Sequence, residues 1–273
     1  MREEPCLVVG ILNVTPDSFS DGGQWDSVDD AIARGLELRA EGASIVDVGG
    51  ESTRPGASRV SPEDERQRVR PVVQGLVAEG VAVSVDTMRA STAAAAIEVG
   101  ASVVNDVSGG LADSAMAPLV AEADVDYIAM HWRGHSAQMD DRDAYDDVVE
   151  DVRDELEARV DALSAAGIDA DRIILDPGLG FAKVAESNWP LLANLDALQG
   201  LGHRVMVGAS RKRFLGAVID GDEGPQSREH ATTAVTALAA NAGAWAVRVH
   251  DVKAACDAVN VVCAWHNASG ATP

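Results

Sequence analysis

The chain has 273 residues, 47% of them hydrophobic, which suffices for a large core and suits a single α/β barrel. A net charge of -22 argues against nucleic acid and anionic membrane surfaces as partners, because binding arrays of phosphate needs a basic surface. No stretch reaches the ~18 apolar residues of a membrane span, Met1-Arg2-Glu3-Glu4-Pro5 lacks the basic start of a signal peptide, and Cys6, Cys256 and Cys263 cannot all pair, so a cytoplasmic chain with reduced thiols is expected.

Eight short runs rich in Val, Ile and Leu predict strands: Leu7–Leu12, Ser44–Val48, Val81–Asp86, Ser102–Val107, Asp126–His131, Arg172–Asp176, Arg204–Ala209 and Trp245–His250. Helical periodicity fills the gaps at Val28–Ala40, Glu63–Ala78, Ala93–Val99, Ala115–Ala123, Tyr145–Ala166, Asn188–Leu198, His230–Ala242 and Ala254–His266. Ser61-Pro62 reads as a cap followed by proline in the first turn, and Gly42, Gly80, Gly100 and Gly167 read as helix ends. Strands apolar on both faces, alternating with helices eight times, predict a parallel sheet covered by helices. The expected fold is one (β/α)8 TIM-barrel domain over residues 1–273, with 267–273 as a flexible tail and the active site at the C-terminal ends of the strands. A doubly wound open sheet is the alternative, but no G-x-G-x-x-G follows the first strand.

Polar residues stand at nearly every strand end. Asn13 follows the first strand, Gly49-Gly50-Glu51-Ser52-Thr53-Arg54-Pro55-Gly56 the second, and Asp86 ends the third. The fourth carries Asn105-Asp106, the fifth ends Met130-His131, the sixth ends at Asp176, Ser210-Arg211-Lys212-Arg213 follows the seventh, and the eighth carries Arg248 and His250. A lone strand-end aspartate is commonly a stop or a cap. Matched polar chemistry around a whole barrel mouth is hard to obtain from independent turns.

Asp86, Asn105 and Asp176 form an acceptor-rich set suited to a heterocycle edge with several N–H donors, such as a 2-amino-4-oxo-pyrimidine, since buried carboxylates without donors are costly. Lys212, Arg248 and His250, with Arg54, put positive charge at the mouth of an acidic chain, where barrels often hold phosphate. Asn13 offers the kind of neutral oxygen that Mg2+ takes alongside substrate phosphates. His131 and His135 lack the intervening Glu of a zinc-protease motif, so His131 is read as a strand-end packing residue. The acidic segment from Asp140 to Glu157 is read as a solvated helical face. Phe19 and Phe181 lie in mouth loops, where aromatics commonly anchor local packing.

The stretches Asn13 to Gly23, Asp47-Val48-Gly49-Gly50-Glu51-Ser52-Thr53-Arg54-Pro55-Gly56, Asn105 to Gly110, Asp176-Pro177-Gly178-Leu179-Gly180-Phe181-Ala182-Lys183, Ser210-Arg211-Lys212 and Arg248-Val249-His250-Asp251 resemble those of dihydropteroate synthases, in order and over nearly the whole chain. Met130-His131-Trp132-Arg133 and the Ala- and Arg-rich composition resemble the actinobacterial branch. The resemblance implies condensation of 6-hydroxymethyl-7,8-dihydropterin pyrophosphate with 4-aminobenzoate to 7,8-dihydropteroate and pyrophosphate, in folate synthesis, by a dissociative substitution, with sulfonamides as inhibitors and a homodimer as the assembly. It implies that Asp86, Asn105, Met130, Asp176 and Lys212 bind the pterin. Arg248, His250 and Asn13 would bind the pyrophosphate, Asn13 through Mg2+. Phe19, Thr53, Pro55, Phe181 and Arg213 would shape the aminobenzoate pocket, and Asp21, Arg54 and Lys212 would act in catalysis. One departure is Arg213, where many members of the family carry Ser.

Two other readings share the pterin pocket: a pterin-dependent methyltransferase and a non-catalytic pterin-binding paralogue. The first has no use for the cluster Lys212, Arg248 and His250, and the motifs of both long mouth loops speak against the second.

Overall fold

The computed structural model describes residues 5–15, 28–51, 60–134 and 144–269. Eight parallel strands close on themselves in sequence order: β1 (Leu7–Asn13), β2 (Ile45–Gly49), β3 (Val83–Asp86), β4 (Val103–Asp106), β5 (Asp126–Met130), β6 (Ile173–Asp176), β7 (Arg204–Val207) and β8 (Ala246–Val249). The intervening helices are α1 (Val28–Glu41), α2 (Pro62–Ala78), α3 (Ala90–Glu98), α4 (Met116–Glu122), α5 (Val148–Ala165), α6 (Ala185–Ala193), α7 (Leu195–Gln199), α8 (Arg213–Gly216), α9 (Glu229–Asn241) and α10 (Val252–Ser269). Closure rules out the open sheet, and β1 pairs with both β2 and β8.

Strand parity divides the apolar residues into two cores. Val9, Ile45, Val103, Ile128, Ile174, Met206 and Ala246 point inward and plug the barrel. Their chain neighbours, including Val8, Val46, Val104, Tyr127, Ile173, Leu175, Val205 and Val247, point outward and join the larger core beneath the helices. Successive side chains of a strand face opposite sides, so each inward position recurs two residues on. The next inward layer is therefore Asp47, Asn105, Met130, Asp176 and Arg248; on β3 the inward pair is Ser84 and Asp86. The mouth is the polar continuation of the plug.

The helix ends follow their sequence signals. Ser61 caps α2 by accepting the Asp64 N–H at 3.1 Å. Gly42, Gly80, Gly100 and Gly167 all carry positive φ. Two expectations change. The single helix over Asn188–Leu198 is two helices, because Pro190 lies within α6 and Asn194 turns both its backbone N–H (3.0 Å) and its side-chain amide (2.8 Å) onto the Pro190 carbonyl. Residues 267–269 are not tail but the last turn of α10, whose His266 meets Asn241 of α9 at 3.0 Å; 270–273 lie outside the described residues.

Asp106, outward-facing on β4, is structural. Its carboxylate accepts from Tyr127 Oη (2.8 Å), Ser108 Oγ (2.7 Å) and the Ser108 (2.8 Å) and Gly110 (3.0 Å) amides, which fixes the start of the β4–α4 connection. Among the described residues no helix is long and apolar enough to cross a membrane.

Candidate active site

Asp47 organises the mouth. It is fully buried on β2, and its Oδ2 accepts from Asn105 Nδ2 at 3.0 Å and from Arg248 Nε at 2.6 Å. Arg248 Nη2 then donates to Asp86 Oδ2 at 2.7 Å. One guanidinium thus spans β2 and β3 from β8, the planar fork matching two carboxylates. Asn105, with its amide nitrogen on Asp47, keeps its carbonyl oxygen for another partner.

Burial raises the Asp86 carboxyl to about 7, against the opposing pull of Arg248 and with help from the charges of Asp47 and Glu65. Asp176 is also raised by burial, opposed chiefly by Lys212. Burial lowers Lys212 to about 8, with Asp176 holding the proton on. Burial works against the charge of Arg248, yet Asp47 and Asp86 keep its guanidinium firmly protonated. Asp86, Asp176, Lys212 and Arg248 therefore share one electrostatic neighbourhood, as the strand-end reading requires. Met130 sits in register with Asp176.

The turn after β6 is built tightly against this layer. Asp176 Oδ1 accepts the Gly178 amide at 2.7 Å. Gly178 has φ +66°, and a Cβ there would lie 2.4 Å from the His131 carbonyl oxygen, so only glycine fits. Lys212 Nζ donates to the Leu179 carbonyl and lies 4.2 Å from the centre of the Phe181 ring. Phe181 thus joins the site through Lys212.

Other expected residues divide. Asn13 lies at the end of β1, where a Cβ on Gly49 would stand 3.6 Å from both Asn13 Oδ1 and Asp86 Oδ2. His250 is held by Ser210, whose Oγ lies 2.9 Å from Nδ1 and accepts the His250 amide at 3.2 Å. Arg213 is exposed at the first position of α8, and Arg211 turns away to Glu229, its amide donating to Thr232 Oγ1 at 3.1 Å. Phe19, Asp21, Thr53, Arg54 and Pro55 lie outside the described residues. Both ends of the segment carrying Thr53, Arg54 and Pro55 are nonetheless fixed: Arg89 Nη2 donates to Glu51 (2.7 Å) and to the Val60 carbonyl (2.9 Å), while its Nη1 meets the buried Glu65.

Two readings are corrected. His131 is not merely a packing residue: buried to 3% exposure, it bridges Glu155 (Nε2 to Oε2, 2.9 Å) and Lys183 (Nδ1 to Nζ, 3.0 Å). Glu155 is accordingly more than part of a solvated face, and the hydrogen bond from His131 holds its carboxyl down to about 2. Asp47 and Lys183 are the residues the strand-end rule passes over. The signal for Asp47 is a charge between Val46 and Val48 in a wholly buried strand. For Lys183 it is scarcity, as one of three lysines.

Removing one partner from a buried charge network strands the others. Asp47→Ala is expected to lower unfolding stability by about 3–5 kcal/mol, and adding Arg248→Met to recover much of it, by denaturant titration. A cost below about 1 kcal/mol for the single change would place the support of Asn105 and Arg248 elsewhere.

Comparison with known proteins agrees with this geometry. The family model described as pterin binding enzyme matches residues 9–250. The dihydropteroate synthase of Mycobacterium leprae (strain TN) is 55% identical over 273 residues, covering 98% of this chain and 96% of the relative. The structure of Xanthomonas albilineans dihydropteroate synthase with 4-aminobenzoic acid superposes with a TM-score of 0.89 at 44% identity, covering 99% of this chain and 95% of the other. The structure of that enzyme in complex with 7,8-dihydropteroate gives 0.86 at 41% identity, covering 99% and 95%. The chain belongs to the dihydropteroate synthase family of pterin-binding enzymes.

Proposed function

We propose that the chain condenses 6-hydroxymethyl-7,8-dihydropterin pyrophosphate with 4-aminobenzoate, giving 7,8-dihydropteroate and pyrophosphate. The observation that carries this reading is the inward set of Asp86, Asn105 and Asp176, with Lys212 in the field of Asp176, in a barrel shared with an enzyme whose structures hold 4-aminobenzoic acid and 7,8-dihydropteroate. The carboxylates and the Asn105 oxygen take the N–H edge of the pterin, Met130 packs on its ring, and Lys212 faces its oxo and N5 side. Arg248 and His250 take the pyrophosphate.

The bond from the pterin methylene carbon to the pyrophosphate oxygen breaks first, and its electrons leave on the pyrophosphate. The positive charge left on carbon spreads into the pterin, with Asp21 beside it. The amine lone pair of aminobenzoate then forms the C–N bond, and an amine proton departs to water or to pyrophosphate. An aromatic amine is a weak nucleophile, so orientation counts for more than base activation. Phe181 borders that amine's ring and Arg213 its carboxylate; Phe19, Thr53 and Pro55 are proposed for the same pocket and Arg54 for catalysis.

Mg2+ fits the residues present. Asn13 ends β1, and its Oδ1 and Asp86 Oδ2 both flank Gly49 at the mouth, so the ion would rest on that amide oxygen and on substrate phosphates, as Mg2+ commonly does. When bound it supplies neutralisation of pyrophosphate charge. Three free, half-buried thiols support a cytoplasmic location.

Incubation with pterin pyrophosphate, Mg2+ and aminobenzoate is expected to release pyrophosphate, and Asp21→Ala and Arg54→Ala are expected to cut turnover while pterin binding persists. A folded protein that binds pterin and releases no pyrophosphate would instead be a non-catalytic paralogue.

Charge linkage gives a second test. A pterin N–H meeting Asp86 favours its anion, so a carboxyl poised at about 7 must lose a proton on binding below that pH. Pterin affinity is expected to fall below about pH 7 and again above about pH 8, where Lys212 loses its charge. Calorimetry in buffers of different ionisation enthalpy reads the proton release, and Asp86→Asn should abolish the acid limb. Affinity flat across this window would remove Asp86 from the pterin edge.

The assembly we propose is a homodimer. Leu238 on α9 and Val261 and Trp265, one turn apart on the adjacent α10, are 66%, 66% and 71% exposed, an apolar set that supports a face for a second copy. Sedimentation should find a dimer that Val261→Glu with Trp265→Glu converts to monomer; a wild-type monomer at assay concentration would rule it out.

A further inference from the structure

The turn from Gly178 to Ala182 closes on one internal hydrogen bond, the Phe181 amide donating to the Gly178 carbonyl at 3.0 Å. Gly178, Gly180 and Ala182 have φ of +66°, +70° and +45°, and for alanine that conformation is strained. Its other polar groups are held from outside. Asn188 Oδ1 accepts the Gly180 amide at 2.6 Å, Tyr145 Oη donates to the Ala182 carbonyl at 2.9 Å, and Lys212 takes the Leu179 carbonyl from the mouth side.

Lys183 adds to these contacts. Its Nζ lies 3.1 Å from the Gly178 carbonyl, 3.1 Å from the Phe181 carbonyl and 3.0 Å from His131 Nδ1. An ammonium has three N–H donors and these are three acceptors. The third contact dictates the state of His131. Nδ1 must offer its lone pair, so the ring proton is on Nε2 and is donated to Glu155 Oε2 at 2.9 Å. Burial agrees, lowering His131 to about 4 and so keeping the ring neutral. The other side of Glu155 is occupied by Arg133, whose guanidinium carbon sits 3.8 Å from the centre of the Tyr145 ring. Glu155, His131 and Lys183 therefore form a line of hydrogen bonds from α5 through β5 to the back of the turn.

None of the three hydrogen bonds of this ammonium goes to a carboxylate, and burial first, then the charge of Lys212, lowers Lys183 to about 7 against the pull of Asp176. A cation held by neutral groups beside a like charge costs stability. Such costs are retained where a site requires them. Two of the chain's three lysines hold carbonyls of one five-residue turn: Lys212 takes Leu179 and lies against the Phe181 ring, and Lys183 takes Gly178 and Phe181.

We propose that Lys183, seated on His131 and Glu155, is a positioning residue for the aminobenzoate half of the reaction: it fixes the Gly178–Ala182 turn and thereby the Phe181 wall. This rests on the reading above that Phe181 borders aminobenzoate.

The test is steady-state kinetics of the full-length enzyme with both substrates varied. Lys183→Met is expected to raise KM for 4-aminobenzoate roughly 10- to 100-fold while KM for pterin pyrophosphate moves less than about twofold. His131→Phe should reproduce that split, His131→Asn, which restores an acceptor where Nδ1 stood, should largely rescue it, and the Lys183→Met, His131→Phe double variant should be no worse than either single one. Phe181→Ala tests the underlying reading separately. If Phe181→Ala leaves the aminobenzoate KM unchanged, the pocket assignment fails and the proposal with it. If Phe181→Ala raises it but a folded Lys183→Met does not, or raises both KM values alike, the positioning role alone is overturned. Should Lys183→Met not fold, the His131→Phe and His131→Asn pair decides by the same split.

Discussion

Arg248 lies between Asp47 and Asp86, and the mouth of this barrel depends on that arrangement. Two carboxylates on neighbouring strands would otherwise repel across a buried layer, and burial alone already pushes Asp86 toward its neutral form. The guanidinium offsets them, leaves Asn105 oriented by Asp47, and keeps an acceptor-rich surface inside an apolar barrel. A ligand that brings N–H donors completes what Arg248 begins. The sequence marks Arg248 as an anion clamp, and the geometry adds a second duty: it is the counter-ion of Asp47 and Asp86.

Around this layer the fold supplies two kinds of support. On the β2 side, Arg89 joins Glu51, Val60 and Glu65, so a long connection is pinned at both ends before any ligand arrives. On the β6 side, Lys212 and Lys183 hold neighbouring carbonyls of a turn with three left-handed residues. Groups that must meet a substrate within fractions of an ångström need such backing, because small misplacements cost large factors in rate.

Much of this was legible in the sequence. The eight strands were, because each is a short β-branched run, and so was the ring of strand-end residues, because period-two alternation carries polarity from the plug to the mouth. Asp86, Asn105, Asp176, Lys212, Arg248 and His250 all stand on that ring. Asp47 escaped because it sits one step inside the strand end, where a single acid among valines gives no hint of its partners, Asn105 and Arg248, which lie 58 and 201 residues away in the chain. His131 was misread because its role is set by Glu155 on a helix 24 residues later and by Lys183, 52 residues later. The break of α6 at Asn194 depends on a side chain choosing the Pro190 carbonyl, a local competition that periodicity does not register.

Parity also has a mechanical meaning. On β2, β4 and β6 the inward side chains pass from the plug (Ile45, Val103 and Ile174) to Asp47, Asn105 and Asp176, and the outward ones weld the sheet to its helices. Sliding any one of these three strands by a single residue would drive its acid or amide to the helix-facing side. The barrel cannot misalign quietly. A register error that cost it ligand recognition would also open its core, so the molecule's folding acts as proofreading for its chemistry.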